Sequence, residues 1–135
     1  MLKGQMIHPE IMETLSLCGH GCKVLIADGN YPLKARTNGA RRVYLGLMPG
    51  LPTVTDVLKA LLTVSNFESA EVMLTDDGSD PAIFADFKAL LPDIELKKIG
   101  KQAFYDACCE PMVELAISTG EQRTYANILL TVGCS

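Results

Sequence analysis

The chain has 135 residues, 48% of them apolar, and a formal net charge of −4. That length suits one domain over residues 1–135 with a core of its own, and no apolar run approaches the roughly 20 residues of a bilayer span, so no membrane association is predicted. The twelve basic residues are dispersed rather than gathered into a stripe, which argues against a nucleic-acid partner.

The start, Met1-Leu2-Lys3-Gly4-Gln5, lacks the charged, apolar and small-residue stages of a secretory signal, and the expectation is a cytoplasmic protein. Five thiols is an odd number, and Cys108 and Cys109 are adjacent, so reduced cysteines fit better than a disulfide framework.

In chain order, Ile11, Met12, Leu15 and Cys18 fall on one side of a helix predicted over 9–18, with Gly19 placed to stop it. Lys23-Val24-Leu25-Ile26-Ala27 reads as a buried strand ending at Asp28. Residues 29–39 favour a loop, and a strand resumes over 42–47. Thr53 is a good N-cap, Asp56 sits in the first turn, and Val54, Val57, Leu58, Leu61 and Leu62 form a helical apolar stripe. A strand at 71–74, a helix at 81–91 capped by Asp80, a strand at 94–99 and a short helix around 101–108 continue the alternation. Strands at 113–118 and 126–132 close it, separated by a turn at 119–123. This order predicts an α/β fold, a three-layer α/β/α domain with a largely parallel or mixed sheet, in which ligands gather at loops leaving strand ends.

Within Cys18-Gly19-His20-Gly21-Cys22 a histidine sits on backbone that can turn sharply, and its ordinary pKa of about 6.5 suits proton transfer near neutrality. A surface histidine ending a helix is the plainer alternative. Zinc ligation by Cys18 and Cys22 lacks a second ligand pair, and no metal site is predicted. Asp28, at a strand end before Gly29-Asn30-Tyr31-Pro32, can accept several hydrogen bonds from hydroxyls or can simply form the turn. Tyr125 and Asn127, two apart on the last expected strand, share a face and offer a phenol and an amide; taken alone, a strand-start pair with an aromatic rim residue is the plainer reading. Asp76-Asp77-Gly78-Ser79-Asp80 lacks calcium-loop spacing and reads as a turn with an N-cap. No glycine-rich phosphate loop is present.

Gly19-His20-Gly21, the strand ending Ile26-Ala27-Asp28, and Thr119-Gly120-Glu121 followed by Tyr125-Ala126-Asn127-Ile128-Leu129-Leu130 together resemble the D-ribose pyranase and L-fucose mutarotase family. The similarity extends over most of the chain and is weak over 34–99. Asn30-Tyr31-Pro32 and Ala103-Phe104-Tyr105 resemble the fucose branch, whereas the loop at 33–40 differs from both branches. The resemblance implies a cofactor-free isomerase acting on the anomers or ring forms of a free monosaccharide, L-fucose first and D-ribose second, in a homo-oligomer built from rings, often a decamer; the alternative is a non-catalytic sugar-binding or transport-accessory protein that keeps the pocket without turnover. His20 then matches the family's proton donor, with Tyr125 a second proton carrier. Asp28, Tyr125 and Asn127 match sugar-binding positions, Ala126 contributes backbone contacts, and Lys101 stands where the two branches carry histidine or arginine.

Overall fold

A computed structural model describes residues 1–135. The elements are α1 (Pro9–Leu17), β1 (Lys23–Ala27), β2 (Arg41–Tyr44), α2 (Val54–Leu62), β3 (Phe67–Met73), α3 (Ile83–Leu90), β4 (Leu96–Ile99), α4 (Lys101–Cys108), β5 (Val113–Ser118) and β6 (Ile128–Val132). The strands form one six-stranded sheet in the order β2-β5-β1-β6-β3-β4. Strand β6 runs antiparallel to β1 and β3, and the remaining pairings are parallel, so the sheet is mixed.

Alternation along β1 divides the core. Val24 and Ile26 join a cluster with Ile11 of α1, Val57 and Leu58 of α2, and Phe84 and Phe87 of α3. Leu25 and Ala27 join a second cluster with Phe104 and Cys108 of α4, together with Tyr31 and Leu33. Three helices therefore cover one face and one helix with a loop covers the other, the three layers expected. Helix α2 starts where its sequence says. Thr53 Oγ1 accepts from Asp56 N at 3.1 Å and Asp56 Oδ2 accepts from Thr53 N at 2.9 Å, a reciprocal cap worth about 1 kcal/mol.

Several expectations are corrected. Helix α1 ends at Leu17, and Met12 faces solvent while Thr14 is buried, because each residue turns about 100° and the inward stripe is 11, 14/15, 18. Asp80 caps nothing: its carboxylate pairs with Lys98 at 2.7 Å and Lys88 at 3.8 Å, and α3 begins only at Ile83 with no side-chain cap. Strand β2 stops at Tyr44, leaving Leu47 exposed, and β4 begins only at Leu96. Strand β3 starts earlier than expected, at Phe67, where pairing with β6 supplies its partners. No helix is long and apolar enough to cross a membrane.

The five parallel strands β1 to β5 end on one edge of the sheet, and β6 begins there. That carboxyl edge carries the site.

Candidate active site

Asp28 follows the last residue of β1 and is 2% exposed. Its Oδ1 accepts from Asn30 N at 2.9 Å, and its Oδ2 accepts from Ala126 N and Asn127 Nδ2, both at 3.2 Å. Asp28 N in turn donates to Asn127 Oδ1 at 2.8 Å. A carboxylate has about four acceptor positions, so roughly one stays open for a hydroxyl, as does the second Nδ2 hydrogen of Asn127. Burial pushes the Asp28 carboxyl above its usual range, only partly opposed by these hydrogen bonds.

The segment before Tyr125 is threaded through the structure. Gly120 must be glycine, since a Cβ there would lie 2.5 Å from Met48 O and 2.6 Å from Leu51 O. Glu121 is buried and accepts from Val54 N at 3.3 Å, from Arg123 N at 3.2 Å and from the Arg123 guanidinium at 2.9 and 3.2 Å. Burial raises its carboxyl, but the Arg123 and Val54 hydrogen bonds outweigh that and hold it below the usual range. Arg123 also reaches Asp86 of α3 at 3.1 Å. Anchored this way, Tyr125 adopts a left-handed backbone with φ 57°, a conformation costing a non-glycine residue about 1 kcal/mol or more. Strand β6 begins only at Ile128, so Tyr125 and Asn127 do not share a strand face as the sequence suggested; a turn aims both at one cavity.

That cavity, of about 310 Å³, is lined by Asp28, Asn30, Tyr31, Met73, Lys101, Tyr105, Thr124, Tyr125 and Asn127. Four of the six residues singled out from sequence converge there, and the fifth, Ala126, is buried beside it with its N–H on Asp28. Tyr31, Met73 and Tyr105 were missed as lining groups. Tyr105 was detectable, because it lies one helical turn after Lys101; Met73 needed the β3–β4 register, in which it stands opposite Ile99. A larger neighbouring cleft of about 590 Å³ shares Thr124 and Tyr125 and is otherwise lined by the 75–83 segment and Arg123.

His20 is not brought to this cavity within one chain. Its side chain is 57% exposed, and Nε2 lies 2.9 Å from Glu68 Oε1 near the start of β3, whereas Met73, at the far end of β3, lines the cavity. Gly21 N donates to Val132 O at the end of β6, the opposite edge from Asn127. The eight positions between His20 and Asp28 are thus a separation along an extended strand, which alone spans roughly 16 Å. Burial and the neighbouring Cys22 thiol push Cys18 up to about 11, which leaves it a protonated, weak nucleophile at neutral pH.

The fold and the converging carboxylate, amide, phenol and amine define an α/β domain with a polar, small-ligand cavity at the carboxyl edge of its sheet. Over residues 1–135 the chain matches the model of the RbsD / FucU transport protein family. It is 32% identical to the D-ribose pyranase of Variovorax paradoxus, with 98% of each chain covered. It superposes on Bacillus subtilis RbsD complexed with D-ribose at a TM-score of 0.87 and 24% identity, covering 100% of this chain and 99% of that one. It also superposes on the Streptococcus pneumoniae fucose mutarotase in complex with L-fucose at a TM-score of 0.80 and 24% identity, covering 96% and 94%. The chain belongs to the RbsD / FucU family, and with it to the enzymes that interconvert forms of a sugar.

Proposed function

We propose that this protein is a mutarotase of a free monosaccharide, with L-fucose the preferred sugar, and that its complete site lies between two copies of the chain. The observation that carries the reading is the Asp28–Asn127 knot, which leaves an acceptor and a donor open toward a small cavity. Asp28 and Asn127 hold hydroxyls, Lys101 donates to another, and Tyr125 stands beside the ring as a second proton carrier. The proton-transfer group is His20 of a second copy. With Nε2–H donated to Glu68, Nδ1 is left as acceptor for the anomeric hydroxyl proton, and the same imidazole returns a proton so that the ring opens and recloses on either face. The separation of His20 from the cavity within one chain supports assembly of copies, a ring-built oligomer such as a decamer. A cytoplasmic location accords with this use of free sugar.

L-fucose comes first because Tyr31, Tyr105 and Met73 give the cavity an apolar portion suited to a methyl group. D-ribose is the second reading, favoured by the 32% identity to a D-ribose pyranase.

Magnetisation-exchange NMR on equilibrated L-fucose, D-ribose and D-galactose tests the activity; no enhancement for any of them sinks it. Shared sites are tested by co-assembling His20→Ala with Asn127→Ala chains. Each variant alone is inactive, and mixed oligomers regain part of the wild-type rate, because some interfaces pair an intact histidine with an intact cavity. No recovery means that His20 does not act across an interface.

A further inference from the structure

Between Asp28 and β2 the chain forms a compact loop fastened from within. Arg42 Nε donates to Thr37 Oγ1 at 2.8 Å, and its Nη2 donates to the carbonyls of Lys34 and Thr37 at 3.2 and 3.1 Å. Thr37 Oγ1 donates to Leu33 O at 2.6 Å. The loop is also fastened to the cavity wall through Arg36. Its carbonyl accepts from the Tyr31 phenol at 3.0 Å, and its guanidinium lies over the Tyr105 ring, 4.9 Å from the centroid. The two tyrosine rings touch, with centroids 5.5 Å apart and planes at 57°. Arg36 itself is exposed, does not line the cavity and forms no ion pair, so the aromatic ring is what its charge contacts.

Tyr105 is only partly buried, and a partly buried aromatic side chain without an outer contact has alternative rotamers open to it. A guanidinium lying over the ring restricts that freedom and favours the ring's position as a wall. The face of an aromatic ring is partially negative and apolar, and a methyl group seated against it loses its contact with water.

We propose that Arg36 is a positioning residue for sugar selection: by clamping Tyr105 and Tyr31 it holds the apolar wall that receives the methyl group of a 6-deoxyhexose, and so disfavours a pentose. This rests on the sugar-site reading above and names the group by which the site discriminates. A buried methyl contributes about tenfold or more to discrimination in an apolar pocket, and that contribution depends on the wall staying in place. A pentose without the methyl makes no use of the clamp.

The test is calorimetric titration of L-fucose and D-ribose into wild type, Arg36→Lys and Arg36→Ala, with anomer exchange followed by NMR on the same samples. Wild type is expected to bind L-fucose about tenfold more tightly than D-ribose. Arg36→Ala brings the two within about twofold by weakening L-fucose, with D-ribose affinity and melting temperature unchanged; Arg36→Lys falls between, keeping the cation and losing the broad guanidinium. The proposal is overturned if wild type binds neither sugar, binds both equally or prefers D-ribose, or if Arg36→Ala keeps the wild-type preference for L-fucose or weakens both sugars alike. Selective binding that collapses in Arg36→Ala, with no exchange on any sugar, upholds the clamp and removes the catalytic reading instead.

Discussion

Strand β1 joins two regions built in opposite ways. At its carboxyl end Asp28 is buried at the cavity wall and tied to its neighbours: Asn30, Ala126 and Asn127 all donate to it, and Glu121 and Arg123 hold the segment from which Ala126 and Asn127 come. At its amino end His20 is exposed on a turn in which Gly21 takes φ 89°, held by one surface pair to Glu68. The first region is bound tightly into the fold and is preorganised to hold a ligand; the second contributes little to stability and is free to serve another surface. Chemistry and stability should therefore separate on mutation at the histidine end and move together at the carboxylate end.

The largest expected effect tests that separation. His20→Ala should slow sugar exchange by roughly 10²–10⁴-fold while melting within about 4 °C of wild type, since an exposed pair contributes at most about 1 kcal/mol. A large loss of melting temperature would abolish the contrast.

Asn127→Ala should fail on both counts. It strips a donor and an acceptor from buried Asp28, costing about 2–3 kcal/mol in denaturant unfolding, and it abolishes saturable sugar binding in the same preparation.

Smaller and more informative effects come from the two buried carboxylates, whose pKa values move in opposite directions. Glu121 lies below its usual value of 4.5 when folded, so its stabilisation is present above that value and is lost as pH falls through the folded pKa. Glu121→Gln should cost about 1–2 kcal/mol near neutrality, and the difference from wild type should shrink on acidification below about pH 4.5.

Asp28 lies above its usual 3.8, which reverses the sign. Its contribution is greatest below 3.8 and declines as pH rises through the folded pKa. Relative to Asp28→Asn, wild type should gain stability on acidification. Melting curves across the acid range for the two variants should diverge in opposite directions; parallel curves would show that the two carboxyls do not differ in environment.

Strands β1 and β5, helix α4 and the capped start of α2 were legible from sequence, because each is fixed by local signals: an apolar run between breakers, a reciprocal Thr53–Asp56 cap, a helical stripe. The first half of β3 was not, since Phe67-Glu68-Ser69-Ala70 has no strand-like alternation and is extended through pairing with β6. Asp80 suited a cap by residue type and position, but two lysines from α3 and β4 offered it a closer partnership.

The candidate site divides the same way. Side-chain chemistry read from the sequence marked Asp28, Tyr125, Asn127 and His20, because hydrogen-bonding capacity and proton affinity belong to the side chain, whereas Lys101 entered only through the family resemblance. Only the tertiary structure decided which of them meet. The left-handed backbone at Tyr125 depends on Glu121 and Arg123 holding the turn before it, and the aromatic wall depends on a loop folding onto α4. His20 and Asp28 stand eight positions apart in a chain that is extended between them, and an extended strand puts its two ends on opposite edges of the sheet.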